Sequence, residues 1–454
     1  MPFAYETLGN AIADLGRRLY DANTQFWSPA ELTVWIQDAL QTWNALTGFW
    51  RDSQTFTLSA NNNNFWYDLS SVAGTIRPSS TTDNALIQQI EYVLLEPLTA
   101  TYPLTWTGSN QYSVQDLLNA LNEVRDDLLG ITGCTLTQTL IAAATNNRST
   151  VLADSVIDIR RVAWLPAAPN AVFFNSPLRQ GDDRELQDFQ PQYLSNANGT
   201  PSNWRISAEV PLTFSVDTLP AVAGNYETLT VNAGTALNAN NNTVLPIPND
   251  WTWVLRFGAL AQLFSRDGLA RDDLRAKYCF QRYQEGLGLL TSAPALLSAI
   301  LGNNTLQIDA VRNGDDFGPS WQNNSFATPN TIYTAGLNLI AFSPAANSNA
   351  TIVAQVVENA PLPANNNDQI QLGRDDLVAV LGYAEHLAAL KMGGQEFMAT
   401  LPLYQDFLKR AALYNSKLTA LGSFQKPMWE SSQWNTEREP VYGLVKPADV
   451  LGQQ

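Results

Sequence analysis

The chain has 454 residues, with 26 Lys plus Arg set against 42 Asp plus Glu, for a formal charge of −16. That length allows roughly two or three domains with substantial cores, and no run of about 18 apolar residues is present to cross a membrane. Without clustered cations the sequence lacks what a phosphate-neutralising groove requires, so tight nucleic-acid binding is not expected; an acidic wall would let DNA slide past, and the same charge favours solubility.

The opening segment, MPFAYETLGN, has no basic stretch followed by an apolar one, so no secretion signal is expected. Leu8, Ile12, Leu15 and Leu19 then mark a first helix. A second starts at Ser28-Pro29-Ala30-Glu31. Ser28 is placed to cap it, Pro29 suits its first turn, and Glu31 is placed to reach back to the cap. Leu32, Trp35, Ile36, Ala39 and Trp43 follow at helical spacing, and Gly48 is a candidate stop. The pattern recurs 85 positions later. Ser113, Asp116 and Leu117 replace Ser28, Glu31 and Leu32, while Ile131-Thr132-Gly133 replaces Leu46-Thr47-Gly48. A helix with Leu86, Ile90 and Val93 precedes this second copy and ends near Pro97.

Alternating or β-branched runs mark strands at Val156 to Val162, Val210 to Val216, Thr228 to Val231 and Thr351 to Val357. Clusters such as Asn240 to Asn242 and Asn365 to Asn367 separate them. Two further helices are expected from Asp250 to Gly268 and from Asp376 to Gly394, offset by 126 positions, each followed by another helix carrying aromatics. These aromatics are Tyr278 and Tyr283 in one copy and Tyr404, Phe407 and Tyr414 in the other. Thr200-Pro201 and Phe214-Ser215 recur as Thr328-Pro329 and Phe342-Ser343, offset by 128.

The expected fold class is α+β: helical hairpins or a bundle with strand-rich insertions, built from a duplicated unit. One arrangement nests an inner copy, residues 83–300, inside an outer copy made of 1–82 and 301–425, with an extended arm at 426–454. The rival is a tandem pair that exchanges halves. Contacts between residues near 40 and near 385 favour nesting, and contacts near 40 and 260 in their place oppose it.

Trp27-Ser28-Pro29-Ala30-Glu31-Leu32, followed by Trp35-Ile36-Gln37-Asp38-Ala39-Leu40, resembles the opening of tailed-bacteriophage head-to-tail adaptor proteins. Val156-Ile157-Asp158-Ile159-Arg160-Arg161-Val162 is similar to that family's strand after the helical hairpin. Gly199-Thr200-Pro201 resembles its turn, and Leu245-Pro246-Ile247-Pro248-Asn249-Asp250 its proline-rich approach to the closing helices. Lys391-Met392-Gly393-Gly394, Tyr404 and Tyr414-Asn415 carry a similar pattern in the second copy. The resemblance spans most of the chain through short motifs whose repeated order carries the weight. The duplication departs from a single-copy adaptor.

The resemblance implies a structural virion protein at the head–tail junction, made in the bacterial host cytoplasm. Copies would form a ring, twelvefold in that family, between the portal protein and tail or nozzle proteins. Genomic DNA would pass through without specific binding, and no membrane or cofactor would be involved. Trp429, Trp434 and Tyr442, in the polar C-terminal stretch, are the candidate interface residues, since aromatics make good interface anchors. Packing of the arm on its own subunit is the plain alternative. The self-repulsion of so acidic a subunit makes portal-templated assembly an expectation.

Chemistry-bearing patterns are sparse. His386 is the single histidine and lies inside a helical stretch, so a Ser-His-Asp triad would have to use it. Cys134 and Cys279 have no metal-ligand spacing with it and read as small buried residues. Asp182-Asp183 with Glu185, and Asp272-Asp273, could in principle form glycosidase carboxylate pairs, but adjacent aspartates usually mark solvated turns or helix starts. Asp315-Asp316 lacks the spaced oxygens of a calcium loop. No phosphate-binding glycine motif appears. The expectation is therefore a protein without catalytic, cofactor or metal residues. The 13 tryptophans leave a rival reading, a tail-associated glycan-binding or glycan-cleaving protein, and a third is another virion ring such as a tail terminator.

Overall fold

The computed structural model describes residues 5–60, 66–69, 83–96, 102–105, 111–143, 147–166, 177–182, 198–207, 212–293, 296–317, 321–323 and 326–425. The class is α+β. In chain order the outer elements begin with β1 (Glu6–Thr7), α1 (Leu8–Arg18), α2 (Pro29–Thr47), β2 (Arg51–Leu58) and β3 (Trp66–Asp68). Next come α3 (Asp83–Leu94), α4 (Val114–Thr132), β4 (Thr137–Ala143), β5 (Ser149–Val151), β6 (Val156–Pro166), β7 (Arg179–Gln180), β8 (Asn203–Ser207), β9 (Thr213–Val216) and β10 (Gly224–Asn232). Helices α5 (Thr252–Ser265) and α6 (Asp273–Ser292) follow. The remainder is β11 (Ser298–Leu301), β12 (Asn304–Thr305), β13 (Gln307–Ala310), α7 (Val311–Phe317), β14 (Thr331–Ala335), β15 (Leu339–Ser343), β16 (Ala350–Val357), β17 (Gln369–Ile370), α8 (Arg374–Ala389), α9 (Gly394–Ala399) and α10 (Leu401–Gln425).

The helix boundaries follow from local chemistry. Ser28 Oγ accepts the Glu31 amide at 3.2 Å, and Ser113 Oγ accepts that of Asp116 at 3.0 Å. Each satisfies an amide that the first turn leaves unpaired. The reciprocal contact forms only in α4, where the Asp116 carboxylate accepts the Ser113 amide at 3.0 Å. Glu31 instead turns inward, 2% exposed, and takes Lys391 Nζ at 2.9 Å. Both helices stop at a left-handed glycine, Gly48 (φ 53°) and Gly133 (φ 55°), where any side chain would strain the turn. The later starts shift slightly. Asp250 lies in a single 3-10 turn (Asn249–Trp251) before α5, and α8 starts at Arg374, two residues before Asp376.

Strand pairing joins distant parts of the chain. One sheet has the order β12-β11-β16-β2, all antiparallel, and β13-β14-β15-β3 runs parallel, antiparallel, antiparallel. The other pair of sheets uses only residues between β4 and β10. Its order is β4-β10-β6, all antiparallel, and β7-β8-β9-β5, again parallel, antiparallel, antiparallel. The two β units therefore share strand order and sense, apart from the extra two-residue β12. In each, the strand leaving the capped helix (β2 or β4) pairs with the strand leading into the closing helices (β16 or β10). Each unit has its own apolar core. Phe342 packs on Phe56 and Tyr67 in one, and Phe214 on Trp204 and Tyr226 in the other. Ser298–Leu301 pairs with β16, so residues 298–300 belong to the outer sheet and the inner unit ends before Leu296.

A third core, in the helical layer, serves both units. Helix α2 packs on α1, α8 and α10, and α4 packs on α5 and α6. The opposite side of α2 meets α3 and the Asn249–Trp251 turn. The one apolar stripe expected for α2 is thus incomplete as a description. Asp38, Gln41 and Asn44 on its far side are buried as well, because the second unit covers them.

Candidate assembly interface

Trp429, Trp434 and Tyr442 lie outside the described residues, as do Asp183 and Glu185. The described surface and interior still bear on what the chain can do.

The two units meet through charged side chains taken out of water. Asp38 on α2 accepts Arg256 Nη2 of α5 at 2.6 Å, and Arg256 Nη1 donates to Gln89 Oε1 at 3.1 Å. Both members of the ion pair are essentially unexposed. Burial pushes the Asp38 carboxyl upward, while the Arg256 charge opposes that shift. Arg256 also lies over the rings of Trp35 and Phe257, 5.4 and 4.8 Å from their centroids. Nearby, Arg282 of α6 donates to Tyr383 Oη at 3.3 Å, and also to Tyr404 Oη and Glu285. Asp250 accepts Asn44 Nδ2 at 2.6 Å and the Ala360 amide at 3.2 Å.

A second network joins the β units. Arg161 of β6 donates to Asp315 from Nε at 2.6 Å and from Nη2 at 3.0 Å. It reaches Glu227 at 3.2 Å and Gln322 at 2.6 Å. Asp315 therefore serves as the partner of a buried arginine. Asp316 faces Arg312 at 3.8 Å, with both side chains mostly exposed.

His386 is fully buried, with Nε2 2.7 Å from Tyr278 Oη and Nδ1 2.8 Å from Thr400 Oγ1. Burial, with Arg282 nearby, pulls its pKa down to about 3, so the ring is neutral near pH 7. With both nitrogens occupied and no solvent access, it has no route to a substrate proton. Burial pushes the Cys279 thiol up to about 12, the opposite of what a nucleophile needs. Asp272 caps α6 by accepting the Arg275 amide at 3.0 Å, and Asp273 pairs with Arg271 at the surface. Among the described residues, no group of three or more His, Cys, Asp or Glu is placed to hold a metal ion. Likewise, no described helix is long and apolar enough to cross a membrane.

Every one of the ten described tryptophans is buried, from Trp27 to Trp321, so none offers an exposed ring on which a sugar could stack. Several exposed apolar side chains lie elsewhere. At one end of the helical layer, Trp27 Nε1 donates to Ala388 O, Lys391 Nζ to Phe26 O and Arg275 Nη1 to Leu390 O. These bonds gather the turns after α1, α5 and α8, which carry Tyr20 and Leu269, each 99% exposed, and Met392. At the junction of the units a cleft of about 510 Å³ is lined by Gly133, Cys134, Arg160, Leu290, Arg312 and Gly336, among others.

No protein-family model matches the sequence, and the curated proteins contain no significant match.

Proposed function

We propose that this chain is a structural virion protein of a tailed bacterial virus. It is a head-to-tail adaptor whose single-copy plan occurs twice, with the inner copy nested in the outer. Copies form a ring between the portal and tail or nozzle proteins, and DNA passes through it unbound. The observation that carries the nesting is the matched strand order and sense of the two β units, one split in sequence by the other. Contacts of α2 with α8 along the helical layer fit the same plan, and the Asp38–Arg256 pair is the seam between copies rather than a sign of exchanged halves. The place in the virion rests on the resemblance of the capped helix and the motifs that follow it.

The reading includes no catalysis. It is supported by a histidine without solvent access, by aspartates engaged as caps and ion-pair partners, and by buried tryptophans. Electron microscopy of purified virions, with an antibody or tag on this chain, tests the assignment. A ring at the neck is expected, and density on tail fibres or across the shell rejects it. Incubation with host-envelope polysaccharide should release no reducing ends. Release that disappears on substituting Asp182 would replace the adaptor reading with a glycan-cleaving one.

A further inference from the structure

The backbone edges of the two larger sheets stand out once the sheets are compared. Strand β2 ends the order β12-β11-β16-β2, and β4 ends β4-β10-β6, so among the described strands each is paired on one side only. They are eight and seven residues long. The other long edge, β6, is partly covered: Ala163 bridges Pro177, and the Leu178 amide donates to Val162 O at 2.8 Å. The far edge of the outer sheet, β12, has two residues.

An exposed edge offers a row of amides and carbonyls to any extended chain. Monomeric proteins guard such rows with charges, proline or bulges. Strand β4, Thr137-Gln138-Thr139-Leu140-Ile141-Ala142-Ala143, has no charge, proline or glycine, and Leu140 is 55% exposed. In β2 the only charges are Arg51 and Asp52, of opposite sign; the Asp52 carboxylate accepts the Ser53 amide at 2.8 Å, a local bond that an incoming strand would displace at that one position. For a subunit of charge −16, these edges are places where two copies approach without bringing like charges together.

We infer that β4 of one copy pairs antiparallel with β2 of the next, extending the sheets of adjacent subunits into one. The inference rests on the ring reading and names the contact that builds it. The partner is an extended strand because backbone groups are what the edge presents. It is β2 of a second copy because β2 holds the position in its unit that β4 holds in the other. Side chains also match. Phe56 and Leu58 point into one β core and Ile141 and Ala143 pack toward the other. Ser53, Thr55 and Thr57 alternate outward on β2, and Leu140 and Ala142 lie on the opposite face of β4 from Ile141. Antiparallel pairing then sets Leu140 opposite Thr55 and Ala142 opposite Ser53. Each chain owns one of each edge, so the contact is heterologous and repeats from copy to copy, as a closed ring requires.

The full-length chain at about 1 M salt, where charges are screened beyond roughly 3 Å, provides the test by native mass spectrometry. Wild type is expected to form multimers. The double variant Leu140→Lys, Ala142→Lys changes exposed side chains and should keep the wild-type circular dichroism and melting temperature, yet assemble at least about tenfold more weakly. A chain carrying both Leu140→Cys and Thr55→Cys, once oxidised, should give a ladder of linked chains on a non-reducing gel, as should Ala142→Cys with Ser53→Cys. Lysine variants that assemble like wild type, or cysteine pairs that stay unlinked while wild type assembles, overturn the edge pairing and leave the ring reading standing. A wild-type chain that remains monomeric also overturns the pairing, and the ring reading is then judged by the virion microscopy alone.

Discussion

Asp38 and Arg256 are 218 positions apart and share one buried hydrogen bond. Removing one member of such a pair leaves the other charge without water or partner, which typically costs about 3–5 kcal/mol. Asp38→Asn is expected to lower unfolding stability by that order. The double variant Asp38→Asn, Arg256→Met should lose less than the sum of the two single changes, as read by denaturant titration. His386 gives a pH signature. Its folded pKa lies near 3, below the ordinary 6.5, so the unfolded chain binds the proton more readily. The stability that the neutral ring contributes is complete above about pH 6.5 and falls as pH drops toward 3. By about pH 5 the loss is about 2 kcal/mol. The melting temperature of His386→Gln should therefore fall less steeply over that interval than wild type. The carboxylates that titrate there are shared by both proteins and cancel in the comparison. Little of this was legible in the sequence. A charged residue on a helix reads as solvated until the element that covers it is known, and the cover for Asp38 comes from another part of the chain.

At the scale of elements, the sequence spoke most clearly where chemistry is local. The serine caps and the glycine stops are determined within a turn of helix, and the structure places them where the pattern does. Ser113→Ala should cost about 1 kcal/mol, since the Asp116 amide loses its side-chain acceptor; thermal unfolding measures it. Close packing between helices was not legible. A Cβ added at Gly258 would lie 2.4 Å from Val124 Cγ1, yet nothing in the run around Gly258 distinguishes it from any small residue in an apolar helix. Gly258→Val is expected to destabilise by about 1–3 kcal/mol through overpacking of α4 against α5.

For the whole molecule, repetition of the Phe-Ser and Thr-Pro pairs was enough to suggest two equivalent β units, and Phe214 and Phe342 do occupy the two β cores. The parallel pairs β7–β8 and β13–β14 were beyond reach, since strands of two to five residues carry too little periodicity to reveal partners. Net charge makes a prediction at this scale. Self-association of the isolated chain should strengthen as salt rises from about 0.01 M to about 1 M, over which the screening length falls from roughly 30 Å to 3 Å. Sedimentation across that series checks it. Efficient ring formation at the low end would argue against assembly on a portal template.

The strand pairing also sets a timetable for synthesis. Leu58 pairs with Ala350, whereas Ala143 pairs with Gly224, so the outer closure spans 292 residues against 81. The added loop entropy is only about 1 kcal/mol; the larger consequence is delay. On the ribosome the inner unit has all its strands and helices once Ser292 emerges, while α2 still waits for α8 and α10. At roughly 5–20 residues per second, that wait lasts on the order of ten seconds, during which Trp43 lacks Phe407 and Tyr414, the rings that later pack on it.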